Sequence, residues 1–325
     1  MNTSLFERLH AEELVSDPSL ERVRAQARNP LFSVHYELKT ILYLGVLLLS
    51  SGLGILIYKN IDTIGHLAVI LFIMLVSTGC FTYCLKQKRP FSLGKVEAPN
   101  PFFDYVLLLG CLTFITLIGY TQVQYTVFGE RFGLLFFIPM VVLFFSAYYF
   151  DHLGVLTMAI TNLAAWCGIT VTPDKILREN DFENGTVIIT GLLLGAFLEA
   201  VAYFTKRFRI KAHFGFTYFN FAAHLLFISC LAAMFEFGDI YVVWFLVLMG
   251  ITWYFYRKAI QERSFYFMLI LTLYAYIGIS YMVLRFLLNI DFSDAVIYMA
   301  ILYFISSAIG LILFLINMNR KIKAL

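Results

Sequence analysis

Residues 132–171 read FGLLFFIPMVVLFFSAYYF, then DH, then LGVLTMAITNLAAWCGITV. Two apolar runs, 132–150 and 153–171, are parted only by Asp151 and His152. Each is close to the ~20 residues that an α-helix needs to cross a bilayer. The stretch predicts two antiparallel transmembrane helices joined by a tight turn. The alternative is a re-entrant pair, which lowers the helix count and leaves the termini where they are.

The same pattern extends in both directions. Apolar runs at 39–58, 65–85, 102–121, 132–150, 153–171, 186–205, 213–235, 240–256, 264–286 and 295–317 predict ten spans. Composition agrees, with 61% hydrophobic and 14% charged residues, against about 45–50% and about 25% in soluble domains. A soluble core has no room for that much apolar surface. Aromatics make up 18%; Phe suits lipid-facing surface, while Tyr and Trp favour the interfaces. The fold class is therefore an all-α polytopic transmembrane helix bundle.

Orientation follows from Lys and Arg, which concentrate in cytoplasmic loops. One side collects Arg8, Arg22, Arg24, Arg28 and Lys39; Lys86, Lys88, Arg89 and Lys95; Lys206, Arg207, Arg209 and Lys211; Arg257, Lys258 and Arg263; and Arg320, Lys321 and Lys323. The other side holds Lys59, Arg131, Lys175, Arg178 and Arg285. A missed or invented span would move every later loop to the opposite face. The asymmetry thus predicts an N-in/C-in topology. The net charge of +3 is too small and too scattered for a nucleic-acid partner.

Residues 1–38 are polar and lack the apolar centre of a signal peptide. They predict a cytoplasmic N-terminal helical segment, with a second helix starting at Asp17-Pro18, where a cap precedes proline at the first helical position. Residues 39–325 form the ten-helix transmembrane domain, which divides into five-helix halves, 39–171 and 186–317. The loop 174–183 holds Asp174, Glu179, Asp181 and Glu183, in a spacing that is not that of a calcium loop. The five cysteines lie inside apolar runs and lack paired zinc or disulfide spacing. Cys80 and Cys84 read better as apolar fillers than as metal ligands. No metal or other cofactor is expected. No nucleophile–base constellation or catalytic motif is evident, so the chain is not expected to be an enzyme.

An ionisable group in the bilayer centre costs ~2.5–3.5 kcal/mol on insertion scales, so it has a partner or a function. Glu199 qualifies. It continues a stripe with Gly191 and Gly195, and the GxxxG spacing lets another helix approach. The alternative to a functional role is a structural carboxylate, hydrogen-bonded to a neighbour or paired with Lys206 or Arg207. In the next helix His213, Thr217, Asn220 and His224 recur at i, i+4, i+7 and i+11, one continuous face. A histidine beside a carboxylate can relay protons, because its ordinary pKa lies near neutrality. Tyr274, Gly278, Tyr281 and Arg285 repeat that spacing in the ninth span. Interfacial anchoring is the leading reading of these, with Arg285 snorkelling to headgroups.

The stretch Tyr36-Glu37-Leu38-Lys39, through Leu44-Gly45 and Ser50-Ser51-Gly52 to Tyr58-Lys59-Asn60-Ile61-Asp62, resembles the first helix of an uncharacterised family of bacterial multi-pass membrane proteins. Gln122-Val123-Gln124-Tyr125 followed by Gly129-Glu130 is similar to that family's second recognisable stretch. The resemblance covers the first half of the chain. It implies a bacterial cytoplasmic (inner) membrane and carries no functional residue.

Two readings of function follow. Five plus five helices put the second half upside down relative to the first, a common plan for transporters. A proton- or cation-coupled secondary transporter of a small solute would use Glu199 as the titrating group, with Asn220 and His224 shaping the site. The alternative is a scaffold or assembly factor, whose small-residue faces pack a membrane-protein partner or a second copy. The first needs its polar stripes wet, the second needs them dry. The lipid bilayer is the common partner of both.

Overall fold

The computed structural model describes residues 3–12, 14–28, 35–59, 65–129, 131–171, 185–290 and 294–324. The acidic loop expected at 174–183 lies outside them. The described residues form helices and connections, without a strand. The chain divides into two compact units, Met1–Asn60 and Ile61–Leu325.

The first unit holds α1 (Thr3–Ala11), α2 (Asp17–Arg28) and α3 (His35–Lys59). The two short helices pack on each other. His10 Nε2 lies 2.7 Å from Asp17 Oδ1 across their connection. Helix α3 covers the first expected span.

The second unit holds α4 (His66–Gln87), α5 (Pro101–Tyr125), α6 (Phe132–Phe150), α7 (Leu153–Val171), α8 (Gly185–Arg207), α9 (Phe214–Glu236), α10 (Tyr241–Gln261), α11 (Phe265–Ile290) and α12 (Asp294–Ala324). Every expected run from 65 onward is a helix here. Among the described residues, eight helices are long and apolar enough to cross a membrane: α4 to α9, α11 and α12. Helix α10 is less apolar than these, because Tyr241, Trp244, Trp253, Tyr254 and Tyr256, with Arg257 and Lys258, dilute its aliphatic residues.

Local chemistry sets the boundaries. Asn100 caps α5, its side-chain oxygen accepting from Phe103 N at 2.9 Å, with Pro101 in the first turn. The other end of α5 is braced by Gln122, which is 5% exposed. Its amide donates to Gly129 O at 3.0 Å, and its oxygen accepts from Phe128 N at 2.8 Å. Helices α6 and α7 are each 19 residues, or ~28 Å at 1.5 Å per residue. That is the length of a full crossing, where a re-entrant segment needs half as much.

Helix α9 is the hub. It packs against α7, α8, α10 and α11, and its apolar window is 56% buried, the highest share among the eight. Phe214, Phe219, Ala222, Ala223, Phe227, Cys230 and Met234 form its buried faces. The Gly191–Gly195 stripe of α8 lies directly on it. A Cβ on Gly191 would strike the Ser229 hydroxyl, and one on Gly195 would sit 2.8 Å from Leu226 Cγ and 3.2 Å from its backbone nitrogen. Glycine is what allows this approach.

Gly195→Val should therefore lower folding stability by about 1–3 kcal/mol through overpacking. Gly250→Ala on α10, where a Cβ would meet nothing within 4 Å, should leave it intact. Unfolding in detergent measures both; equal stability of the two variants would contradict the α8–α9 packing.

Candidate functional site

The most deeply buried polar cluster is built from loops at the basic end of the second unit. Helix α6 ends at Asp151, in the left-handed region at φ 61°. That conformation is uncommon for a non-glycine residue, though Asp tolerates it better than most. Asp151 closes the helix, and His152 opens the next, its Nδ1 accepting from Val155 N at 3.0 Å. The Asp151 carboxylate then binds three separate groups. His213 Nε2 lies 2.5 Å from Oδ1, so Nε2 carries the proton that it donates. Val96 N donates to Oδ2 at 2.5 Å. Lys211 Nζ stands 3.1 Å from Oδ2 as an ion pair not aligned for a hydrogen bond.

Both Asp151 and Lys211 side chains are 1% exposed. Lys211 N also donates to Leu93 O at 2.7 Å, and its ammonium faces the Phe91 ring. One carboxylate thereby joins the α4–α5, α6–α7 and α8–α9 connections. Beside it, the Tyr148 and Tyr218 hydroxyls meet at 3.0 Å.

Glu199 sits one turn beyond the glycine stripe of α8. Its partners come from α10: Oε1 accepts from Tyr254 OH at 2.6 Å and from Lys258 Nζ. Lys258 Nζ also lies 3.1 Å from Tyr254 OH and 4.3 Å from the centre of the Phe219 ring. Lys206, named in the sequence as a local partner for Glu199, pairs instead with Glu262. Glu199 Oε2 is buried without a hydrogen-bond partner among the described residues.

The α9 stripe does not meet Glu199. His213 turns to Asp151. Asn220 Oδ1 accepts from Tyr266 OH of α11 at 3.0 Å, and His224 Nδ1 bonds Tyr274 OH of α11 at 2.8 Å. Thr217 is half-buried. The buried Phe219 packs against Phe255 of α10 and Phe267 of α11. Glu199 thus belongs to an α8–α10 cluster and Asn220 and His224 to an α9–α11 cluster. The α11 stripe continues to the opposite end. There Arg285 donates to Tyr281 OH at 2.5 Å and to Gly238 O at 2.9 Å, with its guanidinium 4.4 Å from the Tyr241 ring. Arg285 clamps the α9–α10 turn.

Residues 7–156 match the family described as Predicted membrane protein (DUF2157). The expected likeness to an uncharacterised multi-pass membrane family is thereby shown over that part of the chain. Both stretches that carried the likeness, Tyr36–Asp62 and Gln122–Glu130, fall inside the match, and so does Asp151. Glu199, Lys211, Lys258 and the α9 and α11 stripes fall outside it. No curated protein and no solved structure matches the chain. With its apolar helices, the chain is a multi-pass membrane protein in contact with lipid.

Sequence reasoning treated Asp151 as a helix break and Lys211 as one of many loop cations. It counted Lys258 among the loop cations and did not single out Tyr254. The available signal was the acid itself: a carboxylate wedged between two apolar runs needs a cation, and the α8–α9 connection offers one.

Breaking a buried ion pair from one side costs about 3–5 kcal/mol, because the remaining charge is stranded. Lys211→Met should show that loss in unfolding measurements, and Asp151→Asn with Lys211→Met should recover part of it, because Asn tolerates the left-handed backbone and keeps an acceptor for Val96 N or His213. A double variant as unstable as the sum of both singles would show that the two residues are not coupled.

Proposed function

We propose that this is a ten-span protein of a bacterial inner membrane, with both termini in the cytoplasm, that couples movement of a small solute to protons or cations. In this reading it is a carrier and not an enzyme. The ten spans comprise the eight apolar helices with α3 and α10 added. The basic loops at Lys86–Lys95, Lys206–Lys211 and Arg257–Arg263 then face the cytoplasm, as the concentration of positive charge in inner loops requires.

The supporting observation is Glu199, a carboxylate inside an apolar helix with one oxygen held by Tyr254 and Lys258 and the other buried and unpaired. An unsatisfied polar atom in a membrane carries a cost, and such sites concentrate in ion and proton pathways. Protonation of Glu199 removes the counter-charge of Lys258, so the α8–α10 contact opens. Deprotonation closes it again. His224 with Tyr274, and Asn220 with Tyr266, supply a second polar contact between α9 and α11 that can part in the same movement.

A second reading has its own observation. The most apolar stretch of α12, within Val296–Lys323, has no buried residue. Such a helix suits an assembly partner or a second copy as well as lipid.

Glu199→Gln keeps the shape and removes the titration. In proteoliposomes it should abolish solute-dependent dissipation of a pH gradient, while size-exclusion and circular-dichroism profiles stay native. Dissipation at the wild-type rate would take Glu199 out of the mechanism.

A further inference from the structure

Beside the Glu199–Lys258 pair lies a cavity of about 310 Å³, lined by Ala202, Tyr203, Lys206 and Arg207 of α8, Phe219 of α9 and Lys258 of α10. Its size is at the lower end of the range for small-ligand sites. Three of its six lining residues are cations. Two of these already have acids: Lys258 has Glu199, and Lys206 has Glu262. Arg207 is exposed and makes no ion pair among the described residues. The cavity therefore keeps one uncompensated guanidinium, a group whose planar fork fits phosphate oxygens.

The outer face of α8 indicates what carries the phosphate. Ile189, Leu193, Phe197 and Phe204 are 49%, 67%, 57% and 53% exposed. At i, i+4, i+8 and i+15 they make one apolar stripe along the helix. Tyr203 and Arg207 continue that stripe to the basic end, so an apolar track of several turns leads straight into the cationic cavity. A free phosphate ion has no use for such a track. A phospholipid matches both parts, its chain along the stripe and its headgroup at the cations. The aromatic ring of Tyr203, 59% exposed, lies where an interfacial tyrosine meets headgroups.

We propose that this cavity binds the phosphate of an anionic phospholipid from the cytoplasmic leaflet, with Arg207 as its principal ligand and Lys206 and Lys258 as flanking charges. The site rests on the inward orientation of the α8 C-terminus and not on transport. Basic pockets between helices at the cytoplasmic surface are suited to such headgroups. Lys258 then faces two acids, Glu199 and the lipid phosphate.

The test uses the full chain in detergent with added phosphatidylglycerol, phosphatidylcholine or inorganic phosphate, with bound molecules counted by native mass spectrometry. The expected result is retention of phosphatidylglycerol over phosphatidylcholine, with Arg207→Gln weakening it about fivefold to tenfold. Arg257→Gln, where the guanidinium stacks 4.7 Å from the Trp253 ring outside the cavity, should leave it unchanged. Equal retention of the two lipids, an equal loss in both variants, or displacement of phosphatidylglycerol by millimolar inorganic phosphate would each overturn the proposal. The last outcome would make this a site for the free ion.

Discussion

Hydrocarbon offers no hydrogen bonds, so a polar group that enters a membrane must find its partner within the protein. That constraint explains most of the polar geometry in this chain. Thr113, Thr116, Thr157, Thr161 and Thr190 return their hydroxyls to carbonyls one turn back in their own helices. Ser77 reaches across to Gly110 O in the next helix at 3.1 Å. His66 bonds Tyr120 at 2.7 Å, Asn220 bonds Tyr266 and His224 bonds Tyr274. Tyrosine recurs as the partner because it places a hydroxyl at the end of an apolar ring. Among the described residues the departures are one Glu199 oxygen, the Lys211 ammonium, which keeps only its ion pair, and the Trp244 indole nitrogen.

The same constraint organises the ends of the helices. Short connections leave backbone groups unsatisfied, and here side chains absorb them: Asn100 and His152 at helix starts, Gln122 at the α5–α6 turn, Arg285 at the α9–α10 turn. Asp151 does this on the largest scale, since its carboxylate reaches two other connections at once. The basic end of the second unit is therefore fastened by charge, while its middle is fastened by the buried faces of α9.

The helices were legible because hydrophobic length is nearly a direct readout of a span. The runs 132–150 and 153–171 coincide with α6 and α7, and the expected N-terminal helix start at Asp17 is where α2 begins. The GxxxG stripe also pointed at its neighbour, since glycine on a helix face has few other uses in lipid. Pairing was not legible. Periodicity placed His213, Asn220 and His224 on one face, yet it does not say which helix each residue meets, and they meet different ones. His213 lies just before α9 begins, so it turns to a loop acid, while Asn220 and His224 turn to α11. Glu199 found Lys258, 59 residues away, in preference to the nearby Lys206. Sequence spacing fixes faces within one helix, whereas partners depend on how helices cross.

The proposed carrier needs a polar route into this bundle beside α9, and water access to that helix reports whether one exists. Single cysteines at Thr217, Asn220 and His224, in a background lacking the five native cysteines, would be exposed to a membrane-impermeant thiol reagent from each side in turn. The account predicts labelling at Asn220 or His224, because a carrier must part the α9–α11 tyrosine contacts to let water reach the middle of the membrane. Protection of all three positions in folded protein would contradict it, leaving the stripe as dry packing and the chain as a scaffold.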